Sequence, residues 1–193
     1  MLALLTSCNR HDLLKQTVDS LFLNQKSKID LIVNEDSAQV VVGHKTIYTP
    51  SIGQYRVIET FINSSKDKYY LHLEDDWLFD NSYDWIKKSI EILKNNPDVI
   101  KVICRADAEH PCDFNADGWG YLEPWNDPWK NNLWHGFGWN PGVTRMDLLR
   151  EIAPFSKTEQ QTSKRVYDAG YKTVLLEKGV CTHIGFERST HLP

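Results

Sequence analysis

At 193 residues, with 41% hydrophobic and 25% charged residues, the chain has the size and composition of one globular domain able to bury a core. Its net charge of -4 gives no electrostatic footprint for nucleic acid, and no apolar run approaches the roughly 20 residues of a membrane span. The start Met1-Leu2-Ala3-Leu4-Leu5 lacks a basic flank and a cleavage signal, and Cys8, Cys104, Cys112 and Cys181 show no CxxC spacing. The expectation is a cytoplasmic protein with reduced thiols, no transmembrane segment and no nucleic-acid partner.

Leu2-Ala3-Leu4-Leu5 reads as a first strand, followed by the polar stretch Thr6-Ser7-Cys8-Asn9-Arg10-His11. A helix is predicted from about Asp12, its N-cap, because Leu13, Leu14, Val18, Leu21 and Phe22 recur at helical spacing. Ile29-Asp30-Leu31-Ile32-Val33 is the next strand, ending in Asn34-Glu35-Asp36-Ser37. A weaker strand falls at Val40-Val41-Val42 or Thr46-Ile47-Tyr48, and Tyr55, Ile58, Phe61 and Ile62 mark a second helix after Pro50 and Gly53.

Residues 69–79, Tyr-Tyr-Leu-His-Leu-Glu-Asp-Asp-Trp-Leu-Phe, hold the most informative pattern: a buried strand that stops in three consecutive carboxylates. Three anions beside an apolar core repel one another unless a cation or a dense hydrogen-bond set neutralises them. Oxygen ligation of this kind suits Mg2+ or Mn2+, although a solvated acidic turn has the same composition. Asn81 or Ser82 is placed to cap a helix carrying Trp85, Ile86, Ile90 and Leu93, and a strand follows over 99–104.

From 105 to 132 the regular pattern gives way to Gly, Pro, Asp and aromatic residues. Five of the seven Trp residues lie between Trp119 and Trp139, a clustering that suits sugar rings, whose CH faces pack on aromatic faces. Trp77 and Trp85 are expected in the core. Residues 134–145 lead into a short helix ending before Pro154. Thr158 and Gln161 have capping-box spacing for a helix from Glu159 to about Ala169, and a last strand is predicted over 171–176.

Strands alternating with helices imply βαβ units: an α/β domain with a mostly parallel central sheet and helices on both faces. The polar loops after strands one, two and four would then share the carboxyl edge of that sheet, where ligands bind. No GxGxxG, GxxxxGK[ST] or GxSxG motif is present, so dinucleotide-binding, P-loop and α/β-hydrolase chemistry are unsupported.

Taken in order, Leu5-Thr6-Ser7-Cys8-Asn9-Arg10, Asn34-Glu35-Asp36-Ser37, Glu74-Asp75-Asp76, and residues 136–145 with Glu159 and His183 resemble a GT-A (Rossmann-like) glycosyltransferase of the family 2 type over nearly the whole chain. The resemblance implies one domain, with a nucleotide-binding half (1–104) and a donor-sugar and acceptor half (105–193). It implies Mn2+ or Mg2+ at a DXD-type motif, held by Asp76 and His183. The nucleotide of a UDP-, GDP- or dTDP-sugar would meet Thr6, Asn9, Arg10, Asp36, Glu74 and Asp75. Trp139, Asn140, Trp134, Trp129 and Arg105 would line the donor-sugar and acceptor region, with Trp119 and Trp125 further acceptor-side candidates. Glu159 would be the base of an inverting transfer to a carbohydrate hydroxyl, with Asp147 and Asp168 as substitutes. The family often has an acidic pair at this point, whereas this chain has Glu159-Gln160. A carbohydrate-binding domain with an aromatic platform and a nucleotidyltransferase are the competing readings, the latter without its expected Gly-rich N-terminal loop.

Overall fold

A computed structural model of the chain describes residues 1–23, 25–35, 45–48, 52–106, 112–127, 132–155 and 158–185. In chain order these form β1 (Leu2–Ser7), α1 (His11–Phe22), β2 (Asp30–Glu35), β3 (Lys45–Tyr48), α2 (Gln54–Ser64), β4 (Tyr69–Glu74), β5 (Trp77–Phe79), α3 (Trp85–Asn95), β6 (Val99–Ile103), β7 (Trp119–Tyr121), β8 (Trp125–Asp127), β9 (Asn132–Trp134), β10 (Gly142–Arg145), α4 (Met146–Ile152), α5 (Glu159–Asp168), β11 (Lys172–Leu176) and β12 (Cys181–His183).

Eight of the described strands make one sheet in the order β3-β2-β1-β4-β10-β6-β11-β7. The β3-β2-β1-β4 block is parallel, as is the β6-β11 pair, so the α/β reading with a mostly parallel sheet holds. Side-chain alternation builds a core on each face. Ala3, Leu5, Leu71 and Leu73 point toward Leu14, Val18 and Leu21 of α1 and Trp85, Ile86 and Leu93 of α3. Leu4 and Tyr70 point the other way, toward Val57, Ile58, Phe61 and Ile62 of α2, Leu148 and Leu149 of α4, and Val166 of α5. Trp77 and Trp85 are core residues, as expected.

Three local features differ from the sequence reading. Helix α1 begins at His11 with Arg10 at its N-cap, and Asp12 sits in the first turn, where its charge still suits the positive end of the helix. Helix α3 is capped by Asp84, whose carboxylate accepts from the Lys87 N–H, while Asn81 is used elsewhere. The Asn81 amide donates to the carbonyls of Ser20, Leu21 and Leu23 at 3.0, 2.9 and 2.8 Å, satisfying the end of α1 that no glycine closes. The larger difference is β10. Residues 142–145 do not simply lead into a helix; they run antiparallel between β4 and β6 and are buried throughout.

That insertion requires close backbone approach at Gly142, where a methyl group would overlap the Val102 carbonyl oxygen. The helix predicted near 159 is found at Glu159–Asp168, with the Thr158 hydroxyl accepting from the Gln161 N–H. The Val40–Val42 alternative lies outside the described residues, and the other candidate is β3.

Gly142→Ala is expected to cost about 2–3 kcal/mol of stability, because the colliding atom belongs to a neighbouring strand rather than a flexible side chain. Urea denaturation measures it; a loss below about 0.5 kcal/mol would contradict the tight β4-β10-β6 spacing.

Candidate active site at the carboxyl edge of the sheet

Register brings Thr6, Asn34 and Glu74 level across β1, β2 and β4, so the three polar loops share one edge of the sheet. Gln54, the first residue of α2, ties that edge together, its amide donating to Thr6 Oγ1 at 3.3 Å and to Glu74 Oε1 at 3.0 Å. The loop after β1 is held by Glu35, which accepts from the Asn9 N–H at 3.1 Å. Asn9 has φ +53°, a left-handed conformation that Asn tolerates better than most residues.

The three consecutive carboxylates meet three different fates. Asp75 is fully buried, accepting from Ser7 Oγ at 2.8 Å and Arg10 Nε at 3.2 Å, with Arg10 Nη2 on its other oxygen. Burial still lifts its carboxyl above the usual range, while Arg10 and Ser7 pull it back. Glu74 faces the α2 side, where Gln54 and the Trp77 indole N–H (3.3 Å) occupy its two oxygens. Burial, with Asp76 nearby, pushes Glu74 up to about 7.

Asp76 is buried too, at 7% exposure, and takes a different set of partners. Its Oδ2 is 2.8 Å from Arg10 Nη1 and 3.1 Å from His183 Nε2. The antiparallel β5-β12 ribbon fixes this meeting by pairing His183 with Trp77, their rings 5.0 Å apart, and the Ile184 N–H donates to the Asp76 carbonyl at 2.9 Å. The free edge of β5 is closed by α1, since Trp77 N–H donates to Thr17 Oγ1 and Phe79 N–H to Ser20 Oγ. Gly185 lies against Asp76, and a methyl there would sit 2.7 Å from Asp76 Cβ.

Asp76 and His183 are the side chains that a divalent cation would use at this corner. Among the described residues no three His, Cys, Asp or Glu side chains converge as a metal cage. Asp76 and His183 offer one oxygen and one imidazole nitrogen, the small protein share that suits Mg2+ or Mn2+ when phosphate and water fill the remaining positions. Part of the neutralising charge foreseen for the acidic strand end is supplied within the chain by Arg10. Burial alone would make Arg10 easier to deprotonate, yet Asp75 and Asp76 hold it more firmly protonated than usual.

Glu159 opens α5 across the same edge. Its Oε1 accepts from the Trp139 N–H at 2.6 Å, and its charge is felt by Glu74, Tyr55 and Lys101. Burial pushes the Tyr55 hydroxyl up to about 12, with Glu159 and Glu74 adding to the effect. Trp139 contributes its backbone here, because its indole is buried among Tyr55, His72, Phe137 and Phe155. The Trp134 ring and the Asn140 amide both lie close to Gly138, beside Glu159. Arg105 is placed over the Trp77 ring, 5.7 Å from its centroid, near the Asp76 corner. Asp147 is paired with the buried Arg145 at 2.7 Å, and Asp168 with Lys164 at 2.6 Å in a surface ion pair. Asp36 and Trp129 lie outside the described residues.

Sequence reasoning passed over Lys101. It is fully buried in β6, its Nζ donating to the Gly138 carbonyl at 2.9 Å, and burial pushes it down to about 7 while Glu74 and Glu159 hold it up. Its signal was a lysine inside the apolar run Val99-Ile100-Lys101-Val102-Ile103.

No protein-family model matches this sequence, and no curated protein is detectably similar to it. Solved structures are similar at the level of fold. A mannosyltransferase from Pyrobaculum calidifontis, in complex with GDP-Man and Mn2+, superposes with a TM-score of 0.66 at 14% identity over 98% of this chain. The S. aureus TarS 1-349 structure superposes with a TM-score of 0.61 at 12% identity over 93%. This chain has a GT-A-like fold. It spans 58% and 59% of the lengths of those two proteins. The CMP:2-keto-3-deoxy-manno-octonic acid synthetase bound to CTP shares the GT-A-like core, with a TM-score of 0.58 at 16% identity over 91% of this chain and 88% of the synthetase. No helix among the described residues is long and apolar enough to cross a membrane.

Arg10→Met should cost about 3–5 kcal/mol in chemical denaturation by stranding the buried Asp75 carboxylate, and adding Asp75→Asn should restore most of it. Equal destabilisation in the single and double variants would show that Arg10 acts through packing alone.

Proposed function

We propose that the chain is a glycosyltransferase moving a sugar from a nucleoside-diphosphate sugar (UDP-, GDP- or dTDP-linked) to a carbohydrate hydroxyl, with inversion. What supports this reading is the meeting of Asp76 and His183 at 3.1 Å on a GT-A-like sheet, with the charge of Glu159 felt by Glu74, two residues before Asp76. Asp76 and His183 are the residues that would hold Mn2+ or Mg2+, which when bound would stabilise negative charge on the departing pyrophosphate.

The chain's own residues account for the rest. In this reading Thr6 at the end of β1, with Asn9 and Arg10 in the loop after it, would supply mixed donors and acceptors to base and ribose. Glu159 Oε1 is fixed by the Trp139 N–H, which orients the carboxylate and leaves Oε2 to take the proton of the attacking hydroxyl. The Trp134 ring, beside Glu159, offers an apolar face for an acceptor sugar.

A nucleotidyltransferase is the second reading. It is favoured by the likeness to the CTP-bound synthetase, of which this chain covers 88%, and disfavoured by the loop Thr6-Ser7-Cys8-Asn9-Arg10-His11, which has no glycine.

A thermal-shift panel of nucleotide sugars and free nucleotides, with and without Mn2+, separates the two. A correct donor at 100 times its dissociation constant should stabilise the chain by about 2.7 kcal/mol. Stabilisation by CTP but by no nucleotide sugar would favour the second reading. Asp76→Asn and His183→Ala should each weaken Mn2+-dependent donor binding at least ~10-fold, as expected on losing a ligand of a two-ligand site. Unchanged donor affinity in Asp76→Asn would sink the metal assignment. Glu159→Gln should keep donor binding and lower kcat by about 10²- to 10⁴-fold; an unchanged kcat would remove Glu159 as the base.

A further inference from the structure

We propose that Lys101 is a positioning residue for Glu159, acting through the single peptide unit between Gly138 and Trp139 that both side chains grip. The carbonyl of that unit accepts from Lys101 Nζ at 2.9 Å, and its N–H donates to Glu159 Oε1 at 2.6 Å. One rigid, planar amide therefore stands between a buried ammonium and the carboxylate that receives the acceptor's proton. Pulling on its oxygen polarises its N–H, so the two hydrogen bonds strengthen each other. This inference rests on the transferase reading for its kinetics but not for its geometry.

The surroundings leave Lys101 little freedom. It has no exposed surface, and its Nζ lies 5.5 Å from the Phe137 ring centroid and 5.6 Å from that of Trp139. Gly138 keeps the linking peptide against Glu159: a methyl group there would meet Glu159 Oε1 at 3.0 Å. A lysine at the centre of an apolar strand is costly to bury, and packing has no use for its charge. The groups facing it are Glu74 and His72 on β4, Glu159 on α5, Cys104 just after its own strand and Cys181 on β12. Glu74 and Glu159 favour the ammonium, whereas burial and the Lys101 charge keep His72 neutral.

Because burial brings Lys101 down to about 7, the polarising charge is present below that pH and lost as pH rises through it. Turnover in the native chain should accordingly fall on the alkaline side of neutrality.

The first test needs no catalysis. In full-length protein labelled with 13C-lysine, the Lys101 ε-carbon should titrate at lower pH in Glu159→Gln than in the native chain, since the glutamine keeps the hydrogen bond and removes the charge. Identical titrations would overturn the coupling.

The second is kinetic. Lys101→Met should lower kcat about 10- to 100-fold, the scale of a small displacement of a reacting group, with donor KM unchanged and the alkaline limb abolished. Lys101→Arg, a donor that does not titrate near neutrality, should recover turnover without that limb. A loss confined to donor KM, or an alkaline limb persisting in Lys101→Met, would overturn the proposal. Should no donor be turned over by the native chain, the transferase reading falls while the lysine titration still decides the coupling.

Discussion

The energetic problem that organises this molecule is the cost of ending a buried strand in three adjacent negative charges. Water cannot solve it for Asp75, which has no exposed surface, and the acids cannot relieve one another. The chain divides the problem by direction. Glu74 turns toward α2 and drifts toward neutrality, Asp75 turns under the first loop and takes a guanidinium, and Asp76 meets an imidazole. Arg10 serves two of them at once, so the first loop is held down by the same contact that makes the acidic turn tolerable. The geometry at Asp76 is thus a by-product of neutralising its neighbours.

Much of this was legible from residue order because it is local. Continuous apolar runs marked β1, β4 and β6, and a buried strand needs little more than that run and a polar stop. The Thr158 cap and the helix it starts were readable since donor and acceptor are three residues apart. The convergence of the polar loops followed from strand-helix alternation and a handedness rule, without knowledge of any side-chain contact.

What escaped depends on distant partners. Gly142-Val143-Thr144-Arg145 carries nothing in its composition that states its direction, and only the paired edges of β4 and β6 make it an antiparallel filler. Asn81 looked like a cap for the helix after it, but α1, some 60 residues back, ends in carbonyls that claim its amide. Which partner each of three consecutive acids takes is likewise unreadable without Ser7, Arg10 and His183 beside them. Lys101 was visible as an oddity, yet its partner is a backbone carbonyl, and carbonyls leave no mark in a sequence.

The β5-β12 ribbon ties the core to the corner it carries. The eight-stranded sheet is complete with β11, which ends at Leu176, whereas the imidazole beside Asp76 arrives only at residue 183, on a two-stranded appendage. Val180, just before β12, and Cys181, its first residue, belong to the buried cluster under α1 and α3, so a disturbance of that core is felt at the imidazole.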